Sequence, residues 1–112
     1  MTVYEPFDVV VVPFPFTDKA KQKPRPALVI SSRAFNADHS HVILLMIATA
    51  ARTQWPSDIP IAGLNDAGLL TAPVVRLKCF TLEESMAARK IGALCKADRA
   101  AALTALQQAF VH

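Results

Sequence analysis

The sequence predicts a mainly β protein: a small antiparallel barrel covered by one C-terminal helix. Three observations carry this. Short β-branched and aliphatic runs recur along most of the chain, separated by prolines, glycines and polar clusters. Only residues 96–110 combine helical composition with helical spacing. No internal repeat or linker divides the 112 residues, so a single domain over 1–112 is expected.

The elements follow in order. Residues 8–13, Asp-Val-Val-Val-Val-Pro, are β-branched nearly throughout and predict the first strand. Pro15, between Phe14 and Phe16, cannot donate to a central ladder, so this segment reads as an edge or a loop start. Residues 17–24 are polar and basic and predict a loop. Residues 26–32, centred on Ala27, Leu28, Val29 and Ile30, predict the second strand. Residues 35–39 read as a turn. Residues 41–49 are the most apolar segment and predict the third strand. A loop begins near residue 50. Residues 58–61 form a short extended piece ended by Gly63, and Gly68 marks another turn. Residues 72–81 predict a long strand. Thr81 and Glu84 have the spacing of a capping box, which predicts one helical turn within 81–88. Residues 90–94 predict a last short strand. The closing helix over 96–110 holds six alanines, a stripe of Leu103, Leu106 and Phe110, and Asp98 in its first turn, where a negative charge favours the helix dipole.

Composition excludes several classes. Apolar residues make up 53% and charged residues 19%, enough to fill a core. Only three glycines occur, and no glycine-rich phosphate loop. Two cysteines, Cys79 and Cys95, cannot build a disulfide framework or a four-cysteine zinc site; they predict small buried side chains in a reduced, cytoplasmic chain. The first residues carry Glu5 and Asp8 and no basic region, so no signal peptide is expected. The longest apolar stretch is too short to span a membrane, so no membrane partner is expected. The net charge of +3 is compatible with a polyanionic partner.

Four constellations could carry chemistry. Lys19, Lys21, Lys23 and Arg25 place four positive charges within seven residues, which either attract a phosphate backbone or simply keep a loop solvated. Arg25 differs from the lysines. Pro24 and Pro26 restrict its backbone to extended geometry, so less entropy is lost when its planar guanidinium is aimed at a phosphate. Thr49 ends an aliphatic run, either for strand packing or to present a hydroxyl. Arg76 interrupts an apolar strand; it either pairs with a carboxylate such as Asp8, Asp58 or Glu83 or lines a groove. His39 and His41 stand two apart, with no third metal ligand nearby, so no metal is expected. Phe14, Phe16 and Trp55 suit base stacking, core packing or a subunit interface.

Longer segments add a resemblance. They are Phe-Asp-Val-Val-Val-Val-Pro-Phe-Pro-Phe-Thr-Asp (7–18), Lys-Pro-Arg-Pro-Ala-Leu-Val-Ile (23–30), Met-Ile-Ala-Thr (46–49), Ala-Pro-Val-Val-Arg-Leu (72–77), Phe-Thr-Leu (80–82) and Lys-Ile-Gly-Ala-Leu (90–94). Together they resemble the MazF/PemK (Kid) family, toxins of type II toxin–antitoxin systems, over residues 7–110. The resemblance implies an SH3-like barrel, a homodimer and an endoribonuclease that cuts single-stranded RNA without metal or other cofactor. It implies a cognate antitoxin partner, with DNA bound only through the antitoxin complex. It assigns catalysis to Arg25 and Thr49, and RNA contacts to Asp8, Thr17, Lys21, Lys23, Arg76 and Lys78. Loops 17–24 and 51–56 would select bases. Ala50 and Ala51 follow Thr49 where many members carry Thr, Ser or Gln. Lys78 stands where some carry aspartate, so the general base is unassigned. The alternative reading is a non-catalytic module of the same barrel that binds nucleic acid or a protein, as gyrase-poisoning toxins do.

Overall fold

A computed structural model of the chain describes residues 3–14, 22–49, 54–69 and 72–111. Six strands form one antiparallel sheet: β1 (Asp8–Phe14), β2 (Lys23–Val29), β3 (His41–Thr49), β4 (Ile59–Pro60), β5 (Pro73–Glu83) and β6 (Arg89–Ala93). Their order across the sheet is β4-β5-β3-β2-β1-β6. The sheet curls into a half-barrel because the edge strands β4 and β6 bring Ile59 and Ile91 to one core, with Ile61 and Leu94 just beyond their ends. That core also takes Val9, Leu28, Leu45, Ile47 and Val75, from one face of the central strands. The other face buries Val10, Val12, Ala27, Val29, Val42 and Leu44 in a second cluster with Tyr4, Leu82 and Ala87. Burial on both faces explains why β1 and β3 read as continuous apolar runs.

β2 begins at Lys23, three residues before the expected strand. Pro24 and Pro26 do not interrupt it. Both pair with β1, at Pro13 and Val11, while the ladder to β3 starts only at Ala27. Their missing N–H groups therefore face an open edge, the place a strand tolerates proline.

Residues 35–39, expected as a turn, belong to the helix α1 (Arg33–His39). Ser32 caps it, its hydroxyl accepting the Phe35 N–H at 3.1 Å, and Ser40 ends it in the left-handed region at φ 51°. A second short helix, α2 (Leu64–Ala67), occupies the span between Gly63 and Gly68. The helical turn expected within 81–88 is a single 3-10 turn at Glu84–Met86. Thr81 does not start it, because that residue belongs to β5.

The last helix, α3 (Lys96–Ala109), lies where expected but rotated from the expected face. Asp98 and Ala102 are buried and Ala105 and Leu106 half-buried, whereas Leu103 and Phe110 are 48% and 54% exposed. Of the expected stripe only Leu106 turns inward, packing with Ala102 and Ala105 on the core that Ile59 of β4 shares. Asp98 accepts the N–H groups of Ala62 at 3.1 Å and Gly63 at 2.9 Å, tying α3 to the segment after β4. The cysteines also depart from expectation: Cys79 is exposed and Cys95 half-buried at the start of α3.

Candidate functional site

The site is built on one end of β2, β3 and β5. The register sets Ala27 opposite Met46, and Met46 opposite Arg76. Directly opposed residues of an antiparallel pair point to the same face. Arg76 therefore shares a face with Ala27, and with Arg25 and Lys23, which follow at alternate positions of β2. On β1, Val12 opposes Arg25 and Phe14 opposes Lys23, so the phenyl ring joins the same face. The Cα atoms of Arg25 and Arg76 are roughly 12 Å apart, two strand spacings across and two residues along.

A bulge in β5 brings Lys78 in. Leu45 pairs with Cys79 but Met46 with Arg76, so Leu77 and Lys78 are extra residues on β5. The Lys78 ammonium lies 5.8 Å from the centroid of the Phe14 ring. β5 and β1 thus meet over this face, although β3 and β2 separate them in the sheet.

Arg76 is 9% exposed, and Asp58 is its carboxylate partner. Nε donates to one carboxylate oxygen at 3.1 Å and Nη2 to the other at 2.8 Å. Ile59 opposes Val75, so the next step of the β4–β5 register sets Asp58 opposite Arg76. The hydrogen bonds from Arg76 hold the Asp58 carboxyl below its ordinary range, against the opposing effect of burial; the Trp55 N–H and the guanidinium charge add to the lowering. The same bonds hold Arg76 above its ordinary range. Asp58 also accepts the Trp55 N–H at 3.0 Å, and its own N–H donates to the Trp55 carbonyl at 3.0 Å. The Trp55 ring lies 5.3 Å from the Arg76 guanidinium carbon.

The remaining expected residues fall elsewhere. Thr49 is the exposed last residue of β3, at the same end of the sheet as Arg25. Continuing the β2–β3 register sets Arg25 opposite Ala48, so strand alternation turns Thr49 to the other side of β3. Asp8 sits at the opposite end of β1, roughly 13 Å along the strand from the residue that opposes Arg25. It is buried, accepting the Glu5 N–H at 2.9 Å and pairing with Lys90 at 3.1 Å. Thr17 and Lys21 lie outside the described residues, as do most of loop 17–24 and the first part of loop 51–56. His39 and His41 do not share a strand: His39 ends α1 against Phe35, and His41 opens β3. Among the described residues no cluster of three or more His, Cys, Asp or Glu side chains stands together. None of the described helices is long and apolar enough to cross a membrane.

Sequence reasoning put Asp58 among three possible partners for Arg76 and gave it no place in the site. The signal was Trp-Pro-Ser-Asp, an aspartate closing a proline turn three residues after an aromatic. What the assembled face can do is hold a polyanion. Three exposed cations, Lys23, Arg25 and Lys78, stand beside two aromatic rings, while the fourth cation is locked to a carboxylate.

Comparison with known proteins agrees with this architecture. Residues 5–110 match the family model for PemK-like, MazF-like toxins of type II toxin–antitoxin systems. MazE-MazF (form III) from Deinococcus radiodurans superposes with a TM-score of 0.76 at 19% identity, over 96% of each chain. An endoribonuclease in complex with its cognate antitoxin, from a mycobacterial species, gives 0.75 at 19% identity, over 97% of this chain and 94% of that one. The Mycobacterium tuberculosis toxin MazF-mt6 gives 0.72 at 21% identity, over 92% and 95%. At such identities the likeness is one of fold. No curated protein matches the sequence. The family match spans nearly the whole chain and its relatives share the curled sheet and closing helix, so this chain belongs to the PemK-like, MazF-like toxins of type II toxin–antitoxin systems.

Proposed function

We propose that this toxin is an endoribonuclease that cuts single-stranded RNA by the RNA's own 2′-hydroxyl. The attacking oxygen is part of the substrate, so the protein needs no metal to generate a nucleophile. The 2′-OH attacks the adjacent phosphorus and gives its proton to a base. The bond from phosphorus to the 5′ oxygen breaks, and that oxygen takes up a proton. The products are a 2′,3′-cyclic phosphate and a 5′-hydroxyl. The protein's work is to align the groups and to stabilise charge on the crowded phosphorus.

Placement supports the proposed roles of Arg25, Lys23 and Lys78, and the family resemblance supports the rest. Arg25, exposed and held between two prolines, directs planar donors at the phosphoryl oxygens. Thr49, at the same end of the sheet but on the other side of β3, is proposed from the family resemblance to supply a hydroxyl donor to a phosphate seated across that end. Lys23 and Lys78 hold flanking phosphates, with Thr17 and Lys21 proposed to extend that track. Arg76 borders the track with its charge committed to Asp58. Asp8, tied to Lys90 at the far end of β1, contacts RNA only if the strand is long enough to reach it. The observation that carries the reading is the gathering of Lys23, Arg25, Arg76 and Lys78 on one face beside Phe14. Solved relatives pair such a fold with an antitoxin, and we propose the same kind of partner here, covering this face. A homodimer is proposed with it.

The test is cleavage of an unstructured RNA in EDTA. Discrete fragments with cyclic phosphate ends are expected. Arg25→Ala should slow cleavage about 100- to 1,000-fold, the usual loss on removing one charge-stabilising donor, with the fold unchanged by circular dichroism. A salt-sensitive complex with no fragments would instead support the non-catalytic binding module.

A further inference from the structure

We propose that Trp55 is a fixed platform for one unpaired base of the RNA, and that Asp58 is the residue that positions it. The inference rests on the single-stranded RNA reading above.

Trp55 is 42% exposed, one of few large apolar side chains so open among the described residues. An aromatic ring in a loop normally loses rotamer freedom when it binds a base, which weakens stacking. Here the main chain that carries the ring is already held, and the ring has a resting contact. One carboxylate makes three bonds: two guanidinium N–H groups of Arg76 and the Trp55 main-chain N–H. The return bond from the Asp58 N–H to the Trp55 carbonyl closes the turn. The ring then rests against the guanidinium, at 5.3 Å. Arg76 itself is buried in a central strand position, so the platform is anchored to the sheet.

The chemistry of the ligand follows. The guanidinium's charge is balanced by Asp58, so the platform offers an aromatic face and not a phosphate site. Its partner is a flat, neutral, unstacked ring, which in this setting is a nucleobase. The exposed cations Lys23, Arg25 and Lys78 lie on the same face for the adjoining backbone. Duplex RNA, whose bases are already stacked, offers no such ring.

The chain has a single tryptophan, so its emission reports this position alone. The full-length protein is titrated with a labelled 2′-O-methyl oligonucleotide of about ten nucleotides, within the span such sites cover, which binds but cannot be cut. Label anisotropy and tryptophan emission are read together. Emission is expected to fall by more than half and to saturate with the anisotropy. Trp55→Ala should weaken binding about 5- to 100-fold, the range for loss of one stacked base, and Trp55→Phe should restore most of it. Asp58→Asn should raise KM for a cleavable RNA several-fold with kcat unchanged, and should shift free-protein emission to the red. A defect confined to folding would move neither the Phe rescue nor the split between KM and kcat.

Saturated anisotropy with unchanged emission, or Trp55→Ala binding like the parent, overturns the platform. Cleavage with no quenching overturns it while leaving the ribonuclease reading intact. Quenched binding without cleavage supports the platform and overturns the ribonuclease. No binding at all overturns both.

Discussion

Asn36 shows how much one buried polar side chain can organise. It is fully buried in α1, and its amide donates to the Tyr4 carbonyl at 2.9 Å and to the Ser31 carbonyl at 3.4 Å. The Ser31 hydroxyl donates to its carbonyl oxygen and itself accepts the Ile43 N–H at 3.0 Å. The node joins the N-terminal segment, α1 and β3. Removing one member leaves the others buried without partners. Asn36→Ala should cost about 2 kcal/mol or more, seen as a lower urea midpoint with an unchanged slope.

Two aspartates make an acid-side prediction at the same scale. Asp98 is pushed up by burial, but the N–H groups of Gly63 and Ala62 and the Cys95 thiol outweigh that and hold it below its ordinary range. Asp58 is held low chiefly by Arg76. Groups with lowered values bind fewer protons folded than unfolded, so stability rises with pH through this window. Their contribution is complete above the unfolded carboxylate range, near pH 4, and is lost as pH falls through the folded values. Urea midpoints should be flat above about pH 5 and fall below about pH 4. Asp98→Asn should flatten part of that fall; an unchanged slope would refute the assignment.

At the scale of elements, close approach decides what each position tolerates. Gly92 of β6 lies under the end of α2, where an added Cβ would press on the backbone of Asp66 and Ala67. Gly68 has φ 74°, and a Cβ there would press on the Ile91 backbone. Backbone atoms cannot swing aside, so α2 must lift off β6 to admit a methyl group. Gly92→Ala should lower stability by about 1–3 kcal/mol, measured by urea unfolding. Both glycines were legible as turn signals or strand residues. The packing of α2 on β6 was not, since those elements touch only once the sheet curls.

The whole molecule distributes stability unevenly. β1, β2 and β3 lie inside the sheet order and bury Val9, Val10, Val12, Ala27, Leu28, Val29, Leu44 and Leu45. β4 is an edge strand of two residues. Amide exchange should be slowest in these three strands and much faster at the edge strand β4. The basic face therefore has one half, bearing Arg25, on the inner strands and another whose order depends on the Asp58 clamp. The Trp55 variants and the exchange profile test that division independently.

Much was legible because it is local. Runs of β-branched residues specify strands wherever they occur, and two prolines stiffen Arg25 whatever lies around it. Six alanines suffice for a helix, and the order of motifs along the chain suffices for the family. What only the tertiary structure decided depends on which surfaces meet. The short α1 needed Asn36 to be buried beneath Tyr4 and Ser31. The inward face of α3, with Asp98, Ala102, Ala105 and Leu106 turned in and Leu103 and Phe110 turned out, was set by what the helix meets on the core. Arg76 had three candidate carboxylates by composition, and the β4–β5 register selected Asp58. Asp8 and Arg25 share one hairpin in sequence yet stand at opposite ends of a strand. Periodicity reports a residue's own backbone; partnership is a property of distance between residues far apart in the chain, and only folding sets that distance.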